Sequence, residues 1–337
     1  MNNIKDIAKL AGVGVSTVSR VLNNHPDVNA ETRIKIQKII DSQNYIPNRS
    51  ARNLKMSPTK NIGVIVKGSF NPFFSEIVEI MEKSITKRNF SLLLHYNPIC
   101  DTEDAEIIIE QVKEKRLNGV IYLGGNFSKN SNSYLESLDI PLVLASSNID
   151  SDVNKKNFSS ISIDNVQSAF EAVDYLCQMG HKNIGLLSSG LIDEYNGKLR
   201  TLGYEKALIH NNMPLNHKYH RDGFYTFDSG YNMAKDILTI YPEITALFST
   251  SDIIAVGAAK YILSTGRNIP EDISIIGFDG LEYSEFFHPS ISSVKQPIEA
   301  IGEKAVELLF SNTKKHILLQ TELIIRNSVC KAKGEKI

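Results

Sequence analysis

Apolar residues recur from Ile4 at i, i+3, i+4 and i+7 (Ile4, Ile7, Ala8, Ala11), which defines one face of a helix. Gly12 and Gly14 allow a tight turn after it. Val18, Val21 and Leu22 then form a second apolar face, leaving Ser16, Arg20 and Asn23 pointing away and Thr17 on the flank. A helix this short cannot bury both sides, so its polar side is available to enter a groove. Asn29 is placed to cap a third helix, AETRIKIQKIIDSQN, whose Ile36, Ile39 and Ile40 would cover the first two. The spacing predicts an all-α helix-turn-helix domain over residues 1–47, a minimal DNA-reading module. A hinge and linker over 48–60 follow. Within them NRSARNLK (Asn48 to Lys55) spans about two turns, too short to be stably helical alone.

The pattern changes at Asn61. NIGVIVK, SLLLHY, NGVIYLG and PLVLAS are continuous apolar runs of strand length, interleaved with helical patterns near 73–88 and 103–116. A second series comprises NIGLLSS, the 219–227 segment, TALFST and ISIIGF, with helices near 164–180, 195–212, 228–241 and 251–265. Two runs of βα units predict two doubly wound lobes over 61–337, more than one core comfortably supports. The expected crossings between lobes lie near 161, 291 and 322. Lobe 1 would then span about 61–161 and 292–322, and lobe 2 about 162–291 and 323–330. The carboxyl ends of the strands should line a ligand cleft between them. Asn71, Phe73 and Phe74 follow the first strand, where an aromatic ring can stack on a sugar or base face.

Charge separates the same two parts. Residues 1–60 hold ten Lys/Arg against four Asp/Glu, a net of +6, and the rest holds 27 against 34, a net of −7. A basic head on an acidic body suits phosphate attraction at one end only. Cys100, Cys177 and Cys330 are odd in number and far apart, which argues against a disulfide framework or a zinc site. His181, after Gly180, is placed to close the last turn of a helix. There is no GxSxG, P-loop or HExxH motif and no acid pair for hydrolysis, so neither enzyme activity, metal nor cofactor is expected. The N-terminus lacks the apolar core of a signal peptide and no stretch approaches membrane-spanning length, so a cytoplasmic protein without membrane contact is expected.

DIAKLAGVGVSTVSRVLN, YIPNRSARNLK, NIGVIV, NPFF, MGHKNIGLL, KLRTLGYEKAL, SDIIAVGAAKYI, IPEDISIIGFDG and HPSISSVKQPIEAIGEKAVELL occur in this order. The chain so resembles the LacI/GalR family of bacterial transcription regulators from Ile4 to about Arg326. The resemblance implies a body of the periplasmic-binding-protein type I kind. It places Val15, Ser16 and Arg20 at base edges in the major groove with Thr17 close by, and Ser19 and Asn24 on phosphates. Gly14 stands where the family often has a capping Ser, a change worth a few tenths of a kcal/mol. In the hinge, Leu54 takes the position of a leucine that wedges into the minor groove, with Asn48 in register and Ala51 small enough for two hinges to approach. For the effector, the resemblance assigns Arg200, Asp279, an aromatic wall at Tyr225, and Asn148. Ser251 stands where sugar-responsive members often carry Asn, and Gly280 where a second Asp is common.

The implied function is a sequence-specific repressor of a carbohydrate-related operon, binding double-stranded, near-palindromic operator DNA as a homodimer and switched by a small sugar or sugar derivative. The alternative is a global regulator or activator controlled by a protein partner. The sequence after Arg326 has no apolar heptad, which argues against a tetramer built by a C-terminal coiled coil.

Overall fold

The computed structural model describes residues 4–22, 25–43, 60–68, 71–98, 102–190 and 196–333. Asn24, Asn48, Ala51 and Leu54 lie outside them. The chain forms two compact units, residues 1–59 and 60–337.

In the first unit, helices α1 (Ile4–Ala11), α2 (Val15–Leu22) and α3 (Ala30–Ser42) share one small core. Ile7, Ala8, Ala11, Val18, Val21, Ile36 and Ile40 are buried in it, and Ile39 packs at its edge. Gly12 takes φ +67 in the turn, a conformation open to glycine at no steric cost. Asn29 caps α3, its side chain accepting from the Thr32 amide at 2.8 Å.

The second unit begins with β1 (Asn61–Lys67), α4 (Pro72–Thr86), β2 (Ser91–Asn97), α5 (Asp104–Lys115) and β3 (Gly119–Leu123). There follow β4 (Asn126–Phe127), α6 (Asn132–Glu136), β5 (Leu142–Ala145), β6 (Asn148–Ile149) and β7 (Ser159–Ile163). The next stretch holds α7 (Asn165–Gln178), β8 (Ile184–Ser188), α8 (Asn196–His210), β9 (His220–Asp222) and α9 (Phe227–Ile240). It continues through β10 (Ala246–Ser249), α10 (Asp252–Ser264), β11 (Ser274–Asp279), α11 (Glu282–Phe286) and β12 (Ser292–Lys295). The last elements are α12 (Ile298–Leu309), β13 (His316–Leu319) and β14 (Glu322–Ile324).

Two six-stranded sheets result, in the orders β13-β7-β5-β3-β1-β2 and β14-β12-β11-β10-β8-β9. Both are parallel except for β14, which runs antiparallel to β12. The central strands of each sheet are buried on two faces, which is why they read as unbroken apolar runs. In lobe 1, Val64 and Val66 face Ile77, Met81 and Ile301, whereas Ile65 joins Ile108 and Leu144 on the other side. In lobe 2, Leu247 packs with Ile237 and Ile254, and Phe248 with Val173 and Ala207. Gly230 on α9 and Gly257 on α10 let these two helices touch backbone to backbone, since a methyl at either would meet a facing carbonyl.

Two expectations change. Ser292–Lys295 pairs with β11 and β14 and therefore belongs to lobe 2, so the second crossing falls at Gln296–Pro297, not near 291. The expected strand at 219–227 contracts to His220–Asp222. The Thr226 hydroxyl accepts from the Ser229 amide and starts α9, and Phe224–Thr226 becomes cleft wall instead of strand. His181 closes α7 through its backbone amide, as its position suggests, and also ties down the C-terminal segment. Its Nδ1 lies 2.9 Å from Thr245 Oγ1 and its Nε2 3.1 Å from the Cys330 carbonyl.

Candidate functional site: a recognition helix and an effector cleft

Burying Val18 and Val21 fixes the rotation of α2. Val15, Ser16 and Arg20 are then exposed, while Thr17 and Ser19 are half-buried at the flanks. This is the arrangement needed for a short helix to present an arginine, a hydroxyl and a small apolar group to base edges. A charge-assisted bond from Arg33 Nη2 to the His25 carbonyl at 2.5 Å secures the chain between α2 and α3.

The body has a cleft of about 660 Å³ at the carboxyl ends of the strands, lined from both lobes. That volume is within the range of small-molecule sites, roughly 300–1,000 Å³. Arg200, Asp279, Asn71, Phe73, Phe74, Asn148 and Tyr225 all reach its wall. Ser251 does not. It stands at the start of α10 with extended backbone, its side chain is fully buried, and its hydroxyl has no partner among the described residues.

Arg200 and Asp279 form the polar floor. Arg200, 5% exposed, donates from Nε to Asn165 Oδ1 at 2.9 Å and from Nη1 to the Thr250 carbonyl at 2.5 Å. Its Nη1 lies 3.4 Å from Asp279 Oδ1, and the guanidinium lies 3.7 Å from the centre of the Phe278 ring. The Gln296 amide donates to the same Asp279 oxygen at 2.8 Å. Asp279 has φ +115, costly for any residue with a Cβ, and the turn continues through Gly280 at φ +76. Two bonds hold that turn: Gly280 N to Ser293 Oγ at 3.1 Å and Leu281 N to Asp252 Oδ2 at 2.7 Å. Burial pushes the Asp279 carboxyl up to about 7, against the pull of Arg200, and nearby Asp252 adds to the rise. Burial likewise raises Asp252 to about 6, opposed by its hydrogen bonds.

Lobe 1 supplies the opposite wall. Asn71 caps α4 by accepting from the Phe73 amide at 3.0 Å, which fixes where the next two aromatic side chains start. Phe73 is buried in the core, and Phe74 lies over Gly124, where any side chain would collide with the ring. Asn148 donates to Asn126 Oδ1 at 3.0 Å and Asp150 Oδ1 at 3.1 Å, so its amide protons are occupied. Lys67 enters the cleft from β1 and is held by Asp104 at 2.8 Å, which also accepts from Tyr122 and Asn97.

Sequence reasoning missed Lys67, Asn165, Asn196 and Gln296. Asn165 lies just past the first crossing and Gln296 on the second, so a search for polar residues at lobe crossings could have found them. Nothing local marks Asn196, whose Nδ2 bonds the Ser146 carbonyl across the lobes at 3.3 Å. Among the described residues there is no cluster of His, Cys, Asp and Glu suited to a metal ion, and no helix long and apolar enough to cross a membrane.

A model of bacterial regulatory proteins of the lacI family matches residues 3–48, and a periplasmic binding protein-like domain matches residues 173–329. HTH-type transcriptional regulator MalR of Clostridium butyricum is 46% identical over 333 residues, 97% of this chain and 98% of its own. The lac repressor dimer bound to operator and the anti-inducer ONPF superposes with a TM-score of 0.71 at 25% identity, covering 98% of this chain and 99% of that one. The transcriptional regulator CelR–cellobiose complex does so with a TM-score of 0.70 at 25% identity, covering 97% and 100%. With a helix-turn-helix and a two-lobed ligand cleft on one chain, and relatives matched along nearly all of it, this protein belongs to the lacI family of bacterial regulatory proteins, DNA-binding regulators of transcription and not enzymes.

Proposed function

We propose that this protein is a cytoplasmic repressor of a carbohydrate-related operon, released from or driven onto its operator by a sugar bound between the lobes. The observation that carries this reading is the cleft itself. A buried Arg200–Asp279 pair offers donors and an acceptor to hydroxyl groups, and Phe74 and Tyr225 offer ring faces. Hydroxyl-rich rings with apolar faces match both features. MalR and the cellobiose-bound CelR structure, both similar along the chain, support the carbohydrate class.

The switch is linkage. A ligand touching Asn71 and Phe74 on lobe 1 together with Arg200 and Asp279 on lobe 2 binds one lobe arrangement better than another. It can shift their balance only by that difference in affinity. Whether it induces or corepresses depends on which arrangement favours operator.

DNA reading is assigned to Val15, Ser16, Thr17 and Arg20 at base edges and to Ser19 and Asn24 at phosphates. Leu54, with Asn48 and Ala51, is assigned to the minor groove on the basis of sequence register. Two such heads on a near-palindromic site require a homodimer. Edge strand β2 supplies a surface for it, since Leu93, Leu94 and Tyr96 are 36%, 43% and 40% exposed there. An uncovered apolar edge calls for a partner strand or surface, and a second copy satisfies it.

The test is a fluorescence-anisotropy titration of the full chain on promoter DNA upstream of its gene, at fixed salt, with and without a panel of sugars, sugar phosphates and purines. Specific binding changed by one sugar supports the reading. Specific binding indifferent to every compound refutes small-molecule control and shifts it to a protein partner. Sequence-blind binding refutes the assignment of the head.

A further inference from the structure

We propose that the cleft continues into a second subsite, over the face of β7 and β13, that takes the outer ring of an oligosaccharide. The inference rests on the carbohydrate reading above and adds the size of the ligand and the residues that sense it.

Side chains along β7 alternate. Ile161 enters the core that α4 and α12 share, whereas Ser160 and Ser162 face the opposite way and line the cavity. Helix α5 packs against β1 and β3 on that opposite face. Over β7 and β13 the cavity instead meets Ile149 and Lys155 from the chain between β5 and β7. His316 holds this chain in place, with Nδ1 2.8 Å from Ser160 Oγ and Nε2 3.1 Å from the Lys155 carbonyl. Both its ring nitrogens are therefore engaged, and His316 is a positioning residue.

What remains for a ligand is chemically specific. Leu318 on β13 is 57% exposed and lines the cavity, an apolar platform beside the polar Ser160 and Ser162. Ser162 and Lys155 line the same space, and neither the Ser162 hydroxyl nor the Lys155 amine has a hydrogen-bond partner among the described residues. This strip is continuous with the Arg200–Asp279 floor within the one cavity of about 660 Å³. A single ring bound at that floor leaves the strip unfilled. A second ring, linked to the first, would cover Leu318 and meet Ser162 and Lys155.

The test is calorimetric titration of the full-length protein with glucose and galactose, their disaccharides, and glucose 6-phosphate. One disaccharide should bind at least about tenfold (1.4 kcal/mol) tighter than its own monosaccharide. Leu318→Ala, at an exposed position that does not threaten folding, should erase most of that gain, and Ser162→Ala part of it. A gain that survives both substitutions overturns the proposal. A monosaccharide that binds as tightly as any disaccharide, or glucose 6-phosphate showing the larger gain, overturns the subsite but leaves the carbohydrate cleft standing. No binding by any sugar overturns both.

Discussion

Replacing Arg200 with alanine separates the bonds this residue makes within the body from the effector contact proposed for it. Its guanidinium donates to Asn165 and to the Thr250 carbonyl, approaches Asp279 at 3.4 Å and stacks on Phe278. Hydrogen bonds from a charged donor contribute about 1.5–3 kcal/mol each, and removing one partner of a buried ion pair costs about 3–5 kcal/mol. These figures do not add, because Asp279, already raised to about 7, can take up a proton once Arg200 is gone. The expected loss is therefore about 3–5 kcal/mol, severe but within the roughly 5–15 kcal/mol of ordinary folding stability. Urea denaturation of the full chain reads this loss. Anisotropy on operator DNA reads function, where the variant should still bind operator and no longer respond to the effector. Pairing it with Asp279→Asn gives a cycle, and the double variant should lose about 1–3 kcal/mol less than the two single losses together, because they share one interaction. A loss below about 1 kcal/mol would refute the buried-network account, and a normal effector response in Arg200→Ala would refute the proposed effector contact.

Other expectations concern separate parts of the molecule. In the folded body Asp279 and Asp252 bind protons more tightly than in the unfolded chain, so stability should fall as pH rises from about 4 to about 7. Asp279→Asn should flatten that slope, and an unchanged slope in urea titrations across this range would reject the buried-carboxylate account. Arg20→Ala should cost about 1–3 kcal/mol of operator affinity and relax preference at one base pair of each half-site, read by anisotropy on substituted operators. Equal losses on all sequences would make Arg20 a phosphate contact. Leu94→Glu on edge strand β2 should lower the mass seen by sedimentation from dimer to monomer and weaken operator binding with it. A dimer that persists would move the interface elsewhere.

Much of this was legible in order along the chain. The head could be read because it is local: α1 and α2 are adjacent, their apolar spacing is helical, and burying Val18 and Val21 settles which residues of α2 face outward. The strands could be read because a sheet covered on both faces leaves unbroken apolar runs such as NIGVIVK. Arg200 and Asp279 were found through motif register alone. No local signal indicates that residues 79 positions apart meet, or that Gln296 joins them from the second crossing.

Tertiary structure decided what depends on non-local pairing. Ser292–Lys295 could not be assigned to a lobe until its partners in β11 and β14 were known, since a short strand carries no label for the sheet it will join. The 219–227 segment contains residues suited to a strand, but the Thr226 cap starts a helix there and turns Phe224–Thr226 toward the cleft. Ser251 keeps its place in the motif but is fully buried at the start of α10 and is not among the residues that line the cavity. The sequence by itself determined which elements form and the order in which two lobes and a reading head are built. Folding decided which polar residues meet at the cleft, because their distance in space is set by how strands stack and not by their separation along the chain.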